Sequence, residues 1–572
     1  MSVPRSTEPA TIALRPPDVV MRLARMGAAH QTRLSFLRAM LRRAASERWR
    51  FSCPRFDIDD RGVGVALYRV EIGERSYTLV AFGHDLPADQ RTDRVIAEAW
   101  DATFALYDGM PGEDEIARLA VNVPLQEAGR CRASELILAR ANRSVRLFDR
   151  AVSALAAGRQ PDAGEIEATG YLMRTTAVYG NGKFGIADRV AMVDRPELAH
   201  PFRLEMLTVY LIRAFTLDLV EHMAMRVAPE TAVRLEPALR RRLGIGNATG
   251  LGMAPFIVRH PALIDRWVAA RETALARARA VATADPEQSR TFARALAGAV
   301  NQVAAWKTDD AVQVPRIVAL SRDLERLAAE IDNGALLRPF PWDQLYRFAE
   351  AELSVEGQEM TVSLLIEPHG ALVDALAESM DLDEVAEFAI DGRGTVGQFC
   401  DVVDASYAWT QAIDFAQPVA SARFWYVSEE KLEPRLGFRH EEPGEQLELP
   451  LAVARDVRRL VDNLNAAPFG ETIATFLLRH PEHRHVVRRV AIGARHPYAE
   501  VRDNLISADL RAIDLLRCKL AFFGATSFDP RSDKWLRITL FQGAPFPHEL
   551  HARDWDDWVW SHGTALADGA RH

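Results

Sequence analysis

The chain has 572 residues, a formal net charge of -9 and a pI near 6.0. Its 48% hydrophobic and 26% charged residues are ordinary for a globular protein, which excludes disordered and fibrous classes for the body of the chain. The acidic balance gives no global support for nucleic-acid binding, which depends on Lys and Arg neutralising phosphates. Cys53, Cys131, Cys400 and Cys518 are scattered with no Cys-x-x-Cys pair. That excludes a disulfide scaffold, a thiolate zinc site and an iron–sulfur cluster, and it fits a reducing compartment. No apolar run follows the early arginines and none is long enough to span a bilayer, so a cytoplasmic protein without a transmembrane segment is expected.

In chain order, residues 1–16 are rich in Pro, Ser and Thr. Over 17–48 the spacing of Val20, Leu23, Met26, Leu34, Leu37 and Leu41 predicts an amphipathic helix decorated by seven arginines, Arg22 to Arg48. Strands follow at 56–58, 63–72 and 76–82, an antiparallel meander closed by the turn at Gly73. Helices are expected at 93–107, 133–157 (stopped by Gly158 and Pro161), 163–179 and 201–227, and again at 261–282, 286–306 and 314–332. The composition shifts near 335–343. Beyond it, helices at 342–353, 370–380, 395–415, 452–464, 471–478 and 481–492 alternate with strands near 422–427, 521–522 and 535–541. Four His-Pro pairs, at 200, 260, 480 and 496, read as helix-start punctuation, with proline at the first helical position. The expected fold is therefore mainly α with small antiparallel sheets (α+β). It has a large helical core, a small N-terminal meander and a mixed C-terminal part, in domains 1–95, 96–338 and 339–572.

Two glycine-rich stretches organise the functional reading. The first holds Gly180, Gly182 and Gly185 around Lys183, with Arg174, Tyr179, Asn181 and Arg189 beside them. Bare backbone of this kind can form an anion-binding nest, and arginines can grip a carboxylate or phosphate bidentately. A P-loop pattern is absent, and the residues before it read as helix where a P-loop needs a strand. The second stretch holds Gly244, Gly246, Gly250 and Gly252, with Asn247 and Thr249 between them, and runs on to Arg259 and His260. It is read as a loop without the strand that a dinucleotide fingerprint requires. A third cluster follows the apolar run 424–427: Glu429 and Glu430 are candidate general bases and Arg435 a candidate ligand contact.

His480, His483 and His485 invite a metal reading, but on a helix only His480 and His483 share a face, His485 points elsewhere, Glu482 lies off that face, and neighbouring arginines would repel a cation. No metal is assigned, and no cofactor is identified. The favoured expectation is a soluble enzyme acting by acid/base chemistry on a small carboxylate- or phosphate-bearing metabolite. Its catalytic candidates are Lys183, His260, Glu429 and Glu430, with no nucleic-acid partner and a homo-oligomer compatible with the sequence. The alternative is a non-catalytic helical scaffold whose basic N-terminal helix contacts a partner or a membrane surface.

Overall fold

The computed structural model describes residues 12–26, 32–90, 99–123, 132–175, 194–247, 261–306, 311, 313–380, 390–414, 424–428, 434–436, 448–450, 453–500, 502, 521–522, 524–529, 537–550 and 559. Its strands are β1 (Arg50–Ile58), β2 (Gly64–Ile72), β3 (Arg75–Gly83), β4 (Ala102–Asp108), β5 (Glu135–Arg143), β6 (Tyr171–Thr175), β7 (Gly244–Asn247), β8 (Phe424–Ser428), β9 (Pro434–Leu436), β10 (Glu448–Pro450), β11 (Ala525–Asp529) and β12 (Arg537–Leu540). The chain divides into two compact units. The helical unit comprises Met1–Ala29, Leu251–Ala293 and Glu325–Lys519; the sheet unit comprises His30–Gly250, Arg294–Leu324 and Leu520–His572.

The sheet unit corrects the expected fold class. In place of a small meander it holds a nine-stranded sheet in the order β1-β2-β3-β4-β5-β6-β7-β12-β11. All pairs are antiparallel except β6 with β7, which run parallel. A parallel pair needs a crossover, and the connection from β6 to β7 contains the 25-residue helix Arg203–Val227. That helix is apolar on nearly every side and is correspondingly buried along most of its length. Its Phe215 packs edge-on against Tyr68 and Phe104. The Tyr68 hydroxyl donates to Asp218 at 2.7 Å, tying the same face to the helix. The opposite face is capped by the helix Glu113–Asn122, whose Ile116 and Leu119 meet Leu67, Val80, Phe82, Ala105 and Leu138.

Four expected elements give way to this sheet. The described part of the helix expected at 93–107 leads into and forms β4. The helix expected at 133–157 is β5 followed by the short helix Phe148–Ala156. The helix expected at 163–179 stops at Thr169, where Gly170 takes a left-handed φ of 78° and reverses the chain into β6. The second glycine stretch, read as a loop, opens as β7. In the first three cases residues that favour helix locally are paired into strands, and tertiary pairing overrides local propensity. The basic segment is likewise not one helix but three, Pro17–Val20, Leu23–Met26 and Phe36–Ser46. In the third, Arg38 is buried at 2% exposure and Arg43 pairs with Glu47.

Inside the sheet unit, Arg213 of the long helix is fully buried. It donates from Nε to the Leu243 carbonyl at 2.8 Å, from Nη1 to Ala544 at 2.9 Å and from Nη2 to Arg241 at 3.0 Å. The Phe546 ring lies 4.6 Å from its guanidinium. Burial pulls its pKa down to about 10, so it stays charged at neutral pH.

The helical unit has two packed groups. In one, the helices Val396–Gln411, Val453–Ala466, Ile473–Arg479 and Arg484–Arg495 bury Tyr407, Leu460, Phe476 and Val487 together. In the other, Arg15 is sandwiched between Glu272 (2.7 Å) and Glu359 (2.8 Å), with Arg271 beside Glu272 (3.0 Å) and Arg25 beside Glu359 (3.1 Å). Burial would push the Glu272 carboxyl up, but Arg15 and Arg271 outweigh it and hold its pKa below the ordinary range. The three-stranded sheet β10-β8-β9 also belongs to this unit. Among the described residues, one helical stretch, Val355–Glu378, is long and apolar enough to cross a membrane. Its apolar window is 61% buried within the protein, and the stretch includes the buried ion-paired Glu359.

Two predictions follow from these buried charges. Replacing Arg213 by Met leaves three carbonyls without their donor, so the urea midpoint of the sheet unit falls by an amount equivalent to at least about 3 kcal/mol. Because Glu272 titrates lower when folded than unfolded, it stabilises above the ordinary carboxylate range and loses that contribution as pH falls through it. Arg15→Ala therefore costs about 3–5 kcal/mol at neutral pH and moves the acid-unfolding midpoint, followed by circular dichroism, to higher pH.

Candidate functional site

The candidate site is one face of the sheet, at the end where β6 and β7 run out. Laterally paired residues share a face. Asn142 of β5 pairs with Arg174 of β6, Arg174 pairs with Gly246 of β7, and Gly246 pairs with Thr539 of β12. These four positions form a continuous row, and Asn142, Arg174 and Thr539 are all buried. Two residues back along β5, Arg140 lies on the same face, diagonal to Arg174 at about 7–8 Å between backbones. Arg140 pairs with Thr103 of β4. The Thr103 hydroxyl contacts the His84 ring Nε2 at 2.8 Å. This polar patch continues the face that the helix Glu113–Asn122 covers with apolar side chains one step away.

Local structure fixes the patch. Asn142 accepts the Asp101 backbone N–H at 2.9 Å and donates to the Ala99 carbonyl at 3.1 Å, holding the entry to β4 against β5. The Arg140 guanidinium lies 5.3 Å from the Trp100 ring centre, a cation–π contact. Burial lowers its pKa. Burial also lowers that of His84 despite the opposing pull of Asp101, so its imidazole is neutral at pH 7 and able to accept a proton. The patch thus combines two guanidinium groups, an amide, hydroxyls and a neutral imidazole on one surface.

Arg174, expected from the sequence as a ligand contact, is at the centre of this patch. Asn247 is fully buried on β7, but it pairs with Thr175 and so lies on the opposite face from Arg174. Arg435 is on β9, opposite Tyr426, in the helical unit. Lys183, Tyr179, Asn181, Arg189, Thr249, Arg259, His260, Glu429 and Glu430 lie outside the described residues. The strand context assumed for the two glycine stretches is corrected. Each leaves from a strand, and the register Thr175–Asn247 sets the two exits side by side at the same edge of a parallel pair. The role assigned to the first two glycines of the second stretch is also corrected. A Cβ on Gly246 would come within 2.7 Å of the Tyr171 ring, and one on Gly244 within 2.3 Å of the Leu540 carbonyl. Their bareness admits neighbouring protein, not a guest.

His84, Thr103, Arg140, Asn142 and Thr539 escape the sequence reading because β4, β5 and β12 must be known before their faces can be. The alternation Leu138, Arg140, Asn142 is the one signal available, and it is meaningful only if residues 135–143 are a strand.

Gly246→Ala is expected to cost about 1–3 kcal/mol through overpacking against Tyr171. Tyr171→Ala removes the obstacle, so in urea denaturation the double variant loses measurably less than the sum of the two single losses. Comparison of the chain with protein-family models, with curated proteins and with solved structures finds no match.

Proposed function

We propose that the protein is an enzyme that binds a small carboxylate- or phosphate-bearing molecule against the polar face of β5 and β6 and acts on it by acid/base chemistry. The observation that carries this reading is the pair Arg140 and Arg174. They share one face of adjacent strands, where two glycine-rich stretches leave in parallel. Ligands of open sheets with parallel strands gather outside the carboxyl ends of those strands, where chain segments diverge. Arg174 and Arg140 supply the charge-assisted hydrogen bonds to the anion, and Thr103 and Thr539 supply neutral ones. His84, held neutral by burial and hydrogen-bonded to Thr103, is the candidate proton acceptor beside this face. In sequence, Lys183 follows the end of β6 by eight residues, within the first glycine stretch.

The test is a thermal-shift and calorimetric screen of the full chain against inorganic phosphate and small mono- and dicarboxylates at constant ionic strength. Saturable stabilisation by at least one anion is expected. Arg174→Ala weakens it about tenfold or more, as loss of a hydrogen bond between charged groups requires, and Arg174→Lys restores part of it. Absence of any saturable shift, or the same affinity in Arg174→Ala protein that remains folded by circular dichroism, would overturn the proposal.

A further inference from the structure

The turn between two helices of the helical unit presents three metal-ligand side chains. The helix Ile473–Arg479 ends at His480. Pro481–His483 is a 3-10 turn, and the helix Arg484–Arg495 starts directly after it. The tighter turn eclipses positions three apart, so it gathers His480 and His483 and brings Glu482 between them. On an α-helix, the context in which these histidines were weighed from the sequence, Glu482 would lie off the face shared by His480 and His483.

His480 Nδ1 lies 3.3 Å from Glu482 Oε1, and His483 Nε2 lies 3.8 Å from the same oxygen. The three ligand atoms all fall within 4.8 Å of one another. Around a tetrahedral zinc ion with bonds of about 2.0–2.2 Å, ligand atoms stand about 3.3–3.5 Å apart. The observed spacings reach that arrangement with side-chain rotations alone. Both rings are also braced: His480 is 4.9 Å and His483 6.1 Å from the fully buried Phe476, the latter stacked at 11°. Asn463 Nδ2 donates to His483 Nε2 at 2.7 Å, which makes Nε2 the unprotonated nitrogen, its lone pair held by the amide until an ion takes it. The arginines that seemed to forbid a cation are in part neutralised: Arg479 pairs with Glu471 and Arg489 with Glu500.

We infer that His480, Glu482 and His483 form a binding site for a zinc-class divalent ion. Two imidazoles and one carboxylate suit zinc or a neighbouring transition ion rather than magnesium or calcium. The ion takes the Nε2 lone pair and displaces the Asn463 amide, which turns to hold a water in the fourth position. The site belongs to the helical unit and is independent of the anion reading.

Cobalt(II) titrated into chelator-treated full-length protein is the probe. One equivalent is expected to give the visible absorption of a low-coordinate ion, which zinc abolishes by competition. His480→Ala and Glu482→Gln are expected to weaken binding at least tenfold. His485→Ala, an exposed imidazole two residues away, is the control and leaves it unchanged. Glu482 is fully exposed, so its variant tests ligation without risk to the fold. A wild-type protein that binds no cobalt at micromolar concentration, or a Glu482→Gln protein that binds it as tightly as wild type, would overturn the assignment.

Discussion

A guanidinium bonded to three carbonyls, with no carboxylate among those partners, fastens the sheet unit together. Arg213 sits in the middle of the helix Arg203–Val227, a segment otherwise apolar enough to be buried on nearly all sides. Its bonds go to Leu243 and Arg241, which lead into β7, and to Ala544, which follows β12. The Tyr210 hydroxyl reinforces the same junction by donating to the Pro545 carbonyl at 2.8 Å. The cost of burying the charge is offset by three directed hydrogen bonds, which the planar fork can make at once and a lysine ammonium cannot. Through this one side chain, segments some 300 residues apart in sequence are fixed to a common helix, and the last strands of the sheet gain their place.

That anchoring has a topological consequence. With the approach to β7 tied to the middle of the long helix, β7 runs in the same direction as β6, giving the one parallel pair among the strands described in this sheet. Antiparallel neighbours send their connections to opposite edges. Parallel neighbours send theirs to the same edge, and here both continuations are glycine-rich. The polar row Asn142, Arg174, Gly246 and Thr539 crosses this junction. The row needs the narrow glycine at its third position because the Tyr171 ring lies over it. Packing and polarity are therefore settled by the same residues.

The helices were largely legible in the sequence. Residues 201–227 announce themselves by length and apolarity, and the helix expected at 395–415 is present as Val396–Gln411, where the structure shows a capping box of Thr395 and Gln398. Beyond β3, the strand expected at 535–541 is present as β12, but β4, β5, β6 and β7 were not legible. β5 is spelled by Glu, Leu, Ile, Ala and Arg, which favour helix locally, and it becomes a strand because β4 and β6 hydrogen-bond to both its edges. The pairing of β7 with β12 joins residues 247 and 538, a separation no local pattern encodes. So Arg174 could be named from its charge beside glycines, while Arg140 and Asn142 could not, since their shared face exists only after pairing. At Gly244 and Gly246 the clustering of small residues was visible but its cause was not. A missing Cβ looks the same in sequence whether it makes room for a ligand or for a tyrosine.

The buried arginines separate by what surrounds them. Burial disfavours the charged form of every one. At Arg15 and Arg489 carboxylates outweigh that penalty and raise the pKa. At Arg213 and Arg140 burial prevails and lowers it. For Arg213 the three carbonyls and the Phe546 ring account for a cation that never needs an anion. Arg140 rests over the Trp100 ring, on the face it shares with Arg174. At Arg15, Glu272 and Glu359 hold the guanidinium from two sides, so the cost of burying that charge is offset within the protein itself.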